Sequence, residues 1–525
     1  MATFDTVVVG SGFGGAVMAC RLAQKGAKVL VLERGRRWNV ADYPREPGDA
    51  WFYDIDEPQN QNGWIDLRIF PDMAIAQGAA VGGGSLIYAN ISVEAPRQVF
   101  ENGWPPEISY EELAPHYETF GRMLDVQELP DGQLTERFKL MRDGAAALGH
   151  GSRFRKLPIA VTFDAGWNYE LDDPFSHEHS KQFTNAHGVR QGTCVHLGNC
   201  DIGCDVRAKN TLEMNYLPDA EKAGAEVRAL HVVRVIRPDG ARYRVDYDRI
   251  DNGRLIRESV RVERVVLSAG SLNSTELLLR CRDQYRTLPA VSRFLGRNWS
   301  SNGDFLTPAF YENRRVSPTQ GPTITSAIDF LDGSQGGPQF WIEDGGLPDL
   351  AGNFREERLI RKKLTKYQPV LDQLLDETRG RDPLNNMMPW FSQGIDAANG
   401  RMYLGRKWYW PWSRMLKLDW EIDKSEAVID AVVDMHKKLS AATGGDPLVP
   451  PTWTVLKNLV TPHPLGGCNM GTSRENGVVD HKGAVFGYAN LYVMDSSVIP
   501  EAIGRNPTRT IGALAERAAS LMGSE

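Results

Sequence analysis

The chain has no run of apolar residues long enough to cross a bilayer. Residues 1–10 lead directly into an apolar strand, with no basic region, apolar core and cleavage site of a secretion signal, so a cytoplasmic location is expected. A strong excess of charge of one sign is also missing. The formal net charge of −7 on 525 residues is mildly acidic and gives no reason to expect a nucleic-acid partner. No repeat of solenoid period is visible. Cysteine is sparse, with six in all. Cys20, Cys281 and Cys468 stand apart, and Cys194, Cys200 and Cys204 form one group spaced C-x5-C-x3-C. That spacing matches no common zinc or ferredoxin pattern, and reduced thiols are expected. Two readings stand for the group: a packed turn built with Gly198 and Gly203, or a metal or redox role. The length exceeds one ordinary compact core, so two intertwined domains are expected.

What is present is concentrated at the start. Thr6 to Val9 is a short apolar run, followed at once by Gly10-Ser11-Gly12-Phe13-Gly14-Gly15. Ala16 to Lys25 reads as a helix that Gly26 ends, and Lys28 to Glu33 as a strand finishing on a carboxylate. Strand, glycine turn, helix, strand and acid in this order bind a dinucleotide. Gly10 permits the tight turn, Gly12 lets a pyrophosphate approach the backbone, and Gly15 lets the helix pack on the strand. The helix N-terminus offers N–H groups to phosphate. Glu33 can accept from ribose hydroxyls and disfavours a 2′-phosphate, which speaks against NADP. The motif alone leaves NAD and FAD open.

Further along, Gly82-Gly83-Gly84-Ser85 begins a second close approach of backbone to ligand, and its apolar flanks argue against a linker. Ser109-Tyr110-Glu111-Glu112 makes a capping box that starts a helix through about Leu124. Lys209 to Gly224 reads as a helix. Glu226 to Ile236 reads as one strand paired with Ala241 to Ile250. Arg261 to Leu267, Ala269-Gly270-Ser271 and Ser274 to Arg280 repeat the logic of strand, small-residue turn and helix. Gly296 to Asp304 reads as a loop, and Phe305 as the start of a strand. Gln339 to Gly346 contains a strand ending on Glu343 and Asp344, and Asn353 to Arg379 reads as a helix with many basic residues. Helices are expected over Ser425 to Leu439 and from about Thr510 to Leu521, with a strand over Asn490 to Asp495.

The glycine fingerprint, Gly82-Gly83-Gly84-Ser85, Ala269 to Ser274, His463-Pro464-Leu465-Gly466-Gly467, Tyr492 to Asp495 and Asn506-Pro507 occur in one order from end to end. In these motifs the sequence resembles the glucose–methanol–choline (GMC) flavoprotein oxidoreductases, and within them the cholesterol oxidase-like branch. The resemblance implies FAD as cofactor and an α/β fold: a Rossmann-like FAD-binding domain with a second substrate-binding domain of mixed sheet and helices. It implies a discontinuous FAD domain at 1–100, 195–308 and 455–525, with the substrate domain at 101–194 and 309–454. Gly10, Gly12, Gly15 and Glu33 would hold the ADP half, and Val233 the adenine side. Gly83, Gly84, Ala89, Asn90 and Ile91 would approach the pyrophosphate or isoalloxazine, with Asp495, Asn506 and Pro507 along the ribityl chain and ring. Tyr88 departs from the Asn usual in the sterol oxidases.

The implied chemistry is alcohol oxidation, in which carbon loses a hydride and oxygen a proton. His463 and Asn506 are similar to the family's catalytic pair, with His463 taking the proton and Asn506 orienting the hydroxyl. Glu343 aligns with the carboxylate that sterol oxidases use to move a proton during double-bond isomerisation, and a buried Glu beside Trp341 and Ile342 would suit that base. The alternative for Glu343 is a surface acid at a strand end. The expected substrate is a bulky apolar alcohol, a 3β-hydroxysteroid, with oxygen or an electron carrier as acceptor. Between Lys362 and Lys417, basic residues accompany Trp408, Tyr409, Trp410 and Trp412. This segment reads as a lid touching lipid, which would make the protein membrane-peripheral, or as a packed aromatic cluster. Rival functions are a dehydrogenase of another alcohol, a flavin-bound lyase, and a lipid-binding protein on the same scaffold. The joint presence of His463 and Asn506 argues against the last.

Overall fold

A computed structural model describes residues 3–46, 48–349, 381–407, 410–454 and 457–523. The expected helix from Asn353 to Arg379 and the aromatic residues Trp408 and Tyr409 lie outside the described residues. No helix among the described residues is long and apolar enough to cross a membrane.

The strands Thr6–Val9 and Val29–Leu32 are buried at every position. Continuous rather than alternating apolar character suits a parallel strand covered on both faces. They pair in parallel and form the middle of a five-stranded sheet ordered Glu226–Arg228, Val29–Leu32, Thr6–Val9, Arg264–Leu267, Leu491–Val493. The chain thus starts in the middle of this sheet and returns from far downstream to finish one edge. The helix Phe13–Gln24 buries a face rich in Gly and Ala and packs against Tyr216–Lys222 and Thr508–Leu521.

Two expected strands are each divided between sheets. Glu226 to Ile236 is Glu226–Arg228 in the parallel sheet and His231–Asp239 in a three-stranded antiparallel meander. Leu230 turns the chain between them with φ 63°. Likewise the meander strand Arg254–Val262 ends just before Arg264–Leu267 enters the parallel sheet. The helix expected over Lys209 to Gly224 is shorter, Tyr216–Lys222, where Asn215 caps the first turn with its side chain.

The second layer is a six-stranded antiparallel sheet ordered Asp446–Pro447, Phe305–Phe310, Met387–Gly394, Phe340–Asp344, Ser326–Phe330, Phe154–Lys156. Glu136–Ala147 and Glu426–Thr443 pack on it, and the fully buried Trp390, Phe330 and Phe340 fill its core. The strand Phe305–Phe310 spans the expected boundary at 308. Tyr110–Met123, expected with the substrate part, packs instead on Thr508–Leu521 of the nucleotide part, with Tyr117 Oη 3.0 Å from Thr510 Oγ1. Of the expected capping box only the Ser109 half forms, its Oγ accepting from the Glu112 N–H at 3.1 Å, while the Glu112 carboxylate accepts from Arg517 Nε at 2.9 Å.

All six cysteines are free thiols. Cys194 Sγ accepts from the His196 N–H and Cys204 Sγ from the Ala208 N–H, so two of the grouped thiols hold the turn between them.

Candidate active site

One cavity of about 670 Å³ runs from the carboxyl ends of the parallel strands to the six-stranded sheet. That is where open α/β sheets bind ligands, and the volume lies in the range of cofactor and substrate pockets. Gly10, Gly12, Glu33, Gly83, Gly84, Ala89, Val233, Asp495, Asn506, Pro507 and His463 all line it. Gly15, Asn90, Ile91 and Glu343 do not.

At the nucleotide end the glycines divide by what surrounds them. A Cβ on Gly12 would meet nothing within 4 Å, and one on Gly84 only the Phe13 ring at 3.8 Å. That space faces the cavity and is left for a ligand. A Cβ on Gly15 would lie 2.1 Å from Gly10 O, and one on Gly14 only 1.8 Å from Met494 O. These two glycines serve close packing, and Gly14 binds the turn to the C-terminal strand. Gly10 itself has φ 94°, the left-handed region that favours glycine.

Glu33 is held by protein donors. Its Oε2 accepts from the Ser11 N–H at 3.0 Å and the Ser11 hydroxyl at 2.8 Å, and its Oε1 from the Gly35 N–H at 2.9 Å. The Ser11 hydroxyl in turn accepts from the Gly82 N–H at 3.0 Å. A single chain of bonds therefore links the second strand, the first glycine turn and the second glycine loop. Asp495 plays a like part for the third loop, accepting from the Gly270 N–H at 2.9 Å and from the hydroxyls of Ser274 and Ser497. Val233 lies at a β-bulge, where the register shifts between Val233 and Val235. Tyr88 donates to Asn210 O at 2.9 Å, and the buried Lys209 ammonium lies 4.6 Å from the centre of its ring.

The other end is made of titratable side chains. His463 Nδ1 lies 2.9 Å from Asp304 Oδ1, and Asp304 is fully buried. Burial pushes the imidazole pKa down, the Asp304 carboxylate pushes it up, and the carboxylate prevails, leaving it above its ordinary value. Glu343 is fully buried, which corrects the reading of a surface strand-end acid. It accepts from Trp341 Nε1 at 2.9 Å and Gln393 Nε2 at 3.0 Å. Burial raises its pKa to about 7 against the opposing effect of those donors and of the nearby His463 and Asn506. Asn506 Oδ1 is buried without a partner. Asn90, buried with φ 69°, leaves both its amide atoms unpartnered. Orphaned buried polar atoms beside a cavity fit a bound group that would satisfy them.

Asp344 points elsewhere. It accepts from the N–H groups of Thr325 and Ser326 and lies 3.7 Å from Arg137. Fully buried Arg137 donates to the carbonyls of Gln320, Pro322, Thr323, Asp344 and Gly345. It thereby ties together two loops whose Thr323, Ile324, Gly345, Gly346 and Leu347 form the cavity wall. Asp304, Arg137 and Ser11 are the site-forming residues that the sequence did not single out. Ser11 sits inside the fingerprint and could have been marked by its hydroxyl. Nothing local marks the other two.

Residues 400–515 match the GMC oxidoreductase family, and residues 8–54 the NAD(P)-binding Rossmann-like domain. The chain is 30% identical over 547 residues to the cholesterol oxidase of Acinetobacter baumannii, covering 98% of this chain and 94% of that one. It is 23% identical over 563 residues to the 2-methyl-1,2-propanediol dehydrogenase of Mycolicibacterium austroafricanum, covering 98% and 94%. In fold it is similar to the pyridoxine 4-oxidase of Mesorbium loti, with a TM-score of 0.65, 16% identity and 99% of each chain covered. The cradle of open glycines, the orphaned amides and these likenesses agree: the chain belongs to the GMC oxidoreductases, on their cholesterol oxidase-like branch, as an FAD-dependent alcohol oxidoreductase.

Proposed function

We propose that the protein oxidises the 3β-hydroxyl of a steroid-like, bulky apolar alcohol to the ketone and then moves a ring double bond into conjugation. The observation that carries this reading is Glu343 itself, fully buried, raised to about 7 by that burial, and close enough to His463 and Asn506 for both to act on its titration. Simple alcohol oxidation needs the His and the Asn. A third group, a carboxyl titrating near neutrality, is what a proton shift on carbon would add. The cholesterol oxidase relative supports the substrate class.

Bound FAD supplies the two-electron acceptor for the alcohol's hydride. The residues do the rest. Asp304 occupies His463 Nδ1, leaving Nε2 to take the hydroxyl proton. The Asn506 amide fixes the hydroxyl oxygen. Glu343, in its ionised form, removes a proton from the carbon between ketone and double bond and returns it two carbons further on. In this reading Gly10, Gly12, Glu33 and Val233 contact the ADP half of FAD, with Gly15 supporting the turn. Gly83, Gly84, Ala89, Asn90, Ile91, Asp495 and Pro507 follow the cofactor toward its ring, and the two-domain division runs along this cavity.

A 5-ene-3β-hydroxysteroid mixed anaerobically with the holoenzyme is expected to bleach the flavin and yield the conjugated enone. Glu343→Gln should bleach as fast and stop at the unconjugated ketone. Full-rate conjugated enone from that variant would overturn the role of Glu343, and absence of bleaching would overturn the steroid. A dehydrogenase passing electrons to a carrier is the second reading, favoured by the name of the Mycolicibacterium relative. Admitting air after bleaching separates the two, because only an oxidase recovers its colour promptly.

A further inference from the structure

Ser300-Ser301-Asn302-Gly303-Asp304 is a loop of polar residues with no exposed surface: both serines, Asn302 and Asp304 are 0% exposed. A buried polar loop persists only where its groups are paired. Asp396 anchors one end, accepting from the Ser300 hydroxyl at 2.8 Å and from the Ser301 N–H and hydroxyl at 2.9 Å each. Asn302 and Gly303 both take left-handed backbone, with φ 60° and 64°. A Cβ on Gly303 would lie 2.6 Å from Gly394 backbone, so the loop is pressed against the six-stranded sheet.

Its next two polar side chains reach different targets. Asn302 Oδ1 accepts from the Ile503 and Gly504 N–H groups at 3.0 and 2.9 Å, and its Nδ2 donates to Arg505 O at 2.9 Å. Those are the three residues before Asn506. Asp304 faces His463 Nδ1 through one oxygen and the Thr461 hydroxyl through the other. The Thr461 hydroxyl also accepts from the His463 N–H at 2.8 Å, so backbone and ring of His463 are held together.

We infer that this loop is the brace of the active site, in which Asp304 holds His463 as the Nδ1–H tautomer with Nε2 toward the alcohol, and Asn302 holds the turn that presents Asn506. The inference rests on His463 and Asn506 acting as proposed above. Asp304 and Asn302 are positioning residues and touch no reacting atom. A carboxylate accepting a hydrogen bond from Nδ1–H makes Nε2 more basic and steadies the imidazolium formed when the alcohol proton arrives. The charged groups that bear on His463 are Asp304 and Glu343. Asn302 carries no charge and can act only through geometry.

The test uses holoenzyme labelled with ¹⁵N-histidine, the His463 signals being assigned by their loss in His463→Gln. In the wild type the Nδ1–H tautomer is expected, with a titration midpoint above that of free imidazole. Asp304→Asn should lower that midpoint and carry the acid limb of kcat/KM to lower pH, because the base is then neutral at lower pH. Its kcat should fall about 10²-fold with KM within a few-fold. Asn302→Ala should lower kcat with the imidazole titration and the acid limb unmoved. An Nε2–H tautomer in the wild type overturns the inference without any variant. So does an Asp304→Asn holoenzyme with unchanged titration and acid limb, or an Asn302→Ala holoenzyme in which both move. Wild-type flavin reduction by His463→Ala would overturn the functional reading instead, and the tautomer measurement would stand apart from it.

Discussion

At the nucleotide end, the cavity is lined by glycine turns and by carboxylates already held by protein N–H and hydroxyl donors, such as Glu33 and Asp495. At the end where the alcohol is proposed to bind it meets His463 and Asn506, with the fully buried Glu343 near His463 but outside the lining. The first end needs a fixed shape and a steady field, which backbone provides without titrating. For the proposed chemistry the second needs titratable groups, here His463 and Glu343, in a buried setting that tunes them. Damage should differ accordingly. Injury at the nucleotide end should cost the cofactor and the fold together, and injury at the alcohol end should cost rate or affinity in a protein that still carries its flavin.

Gly14→Ala should break the nucleotide end most completely. The new Cβ would lie 1.8 Å from Met494 O, a backbone atom that cannot swing aside. A loss of about 3 kcal/mol or more is expected, with flavin per protein falling far below that of the wild type in absorbance and melting curves. If the variant keeps its full flavin, the division between the ends fails. Arg137→Met is expected to cost somewhat less, about 2–4 kcal/mol, because five buried carbonyls lose their donor. Its signature should be a raised KM with flavin content retained. Cofactor loss as severe as that of Gly14→Ala would erase the distinction. Ser109→Ala should have the smallest effect, about 1 kcal/mol from a lost helix cap. Calorimetry should show the shift while kcat and KM stay at wild-type values, which calibrates how far stability alone moves the other two.

The nucleotide end was largely legible because its parts are contiguous. Residues 6 to 33 carry strand, turn, helix, strand and acid in one stretch, and each has a local signature. Even there Gly14 passed as an ordinary position, since its contact comes from Met494 across the whole chain. Asp304 was invisible for the same reason, standing 159 residues from His463. The merged strands show another limit. Val and Arg residues suit both the parallel sheet and the meander, so propensity alone did not show that the chain changes sheets at Leu230 and Glu263. The buried state of Glu343 was undecidable locally, because Trp341 and Ile342 beside it fit an edge or a core equally well.

The bonding of Glu33 constrains redesign of the cofactor site. In dinucleotide folds the acid closing the second strand is the usual handle for changing cofactor preference. Here that acid serves three protein donors and, through Ser11, a fourth on Gly82. Exchanging it for a smaller or basic residue would strand those donors and let both glycine loops drift. Cofactor choice and scaffold integrity are therefore inherited together, and any route to a different dinucleotide must first supply Ser11 and Gly35 with another acceptor.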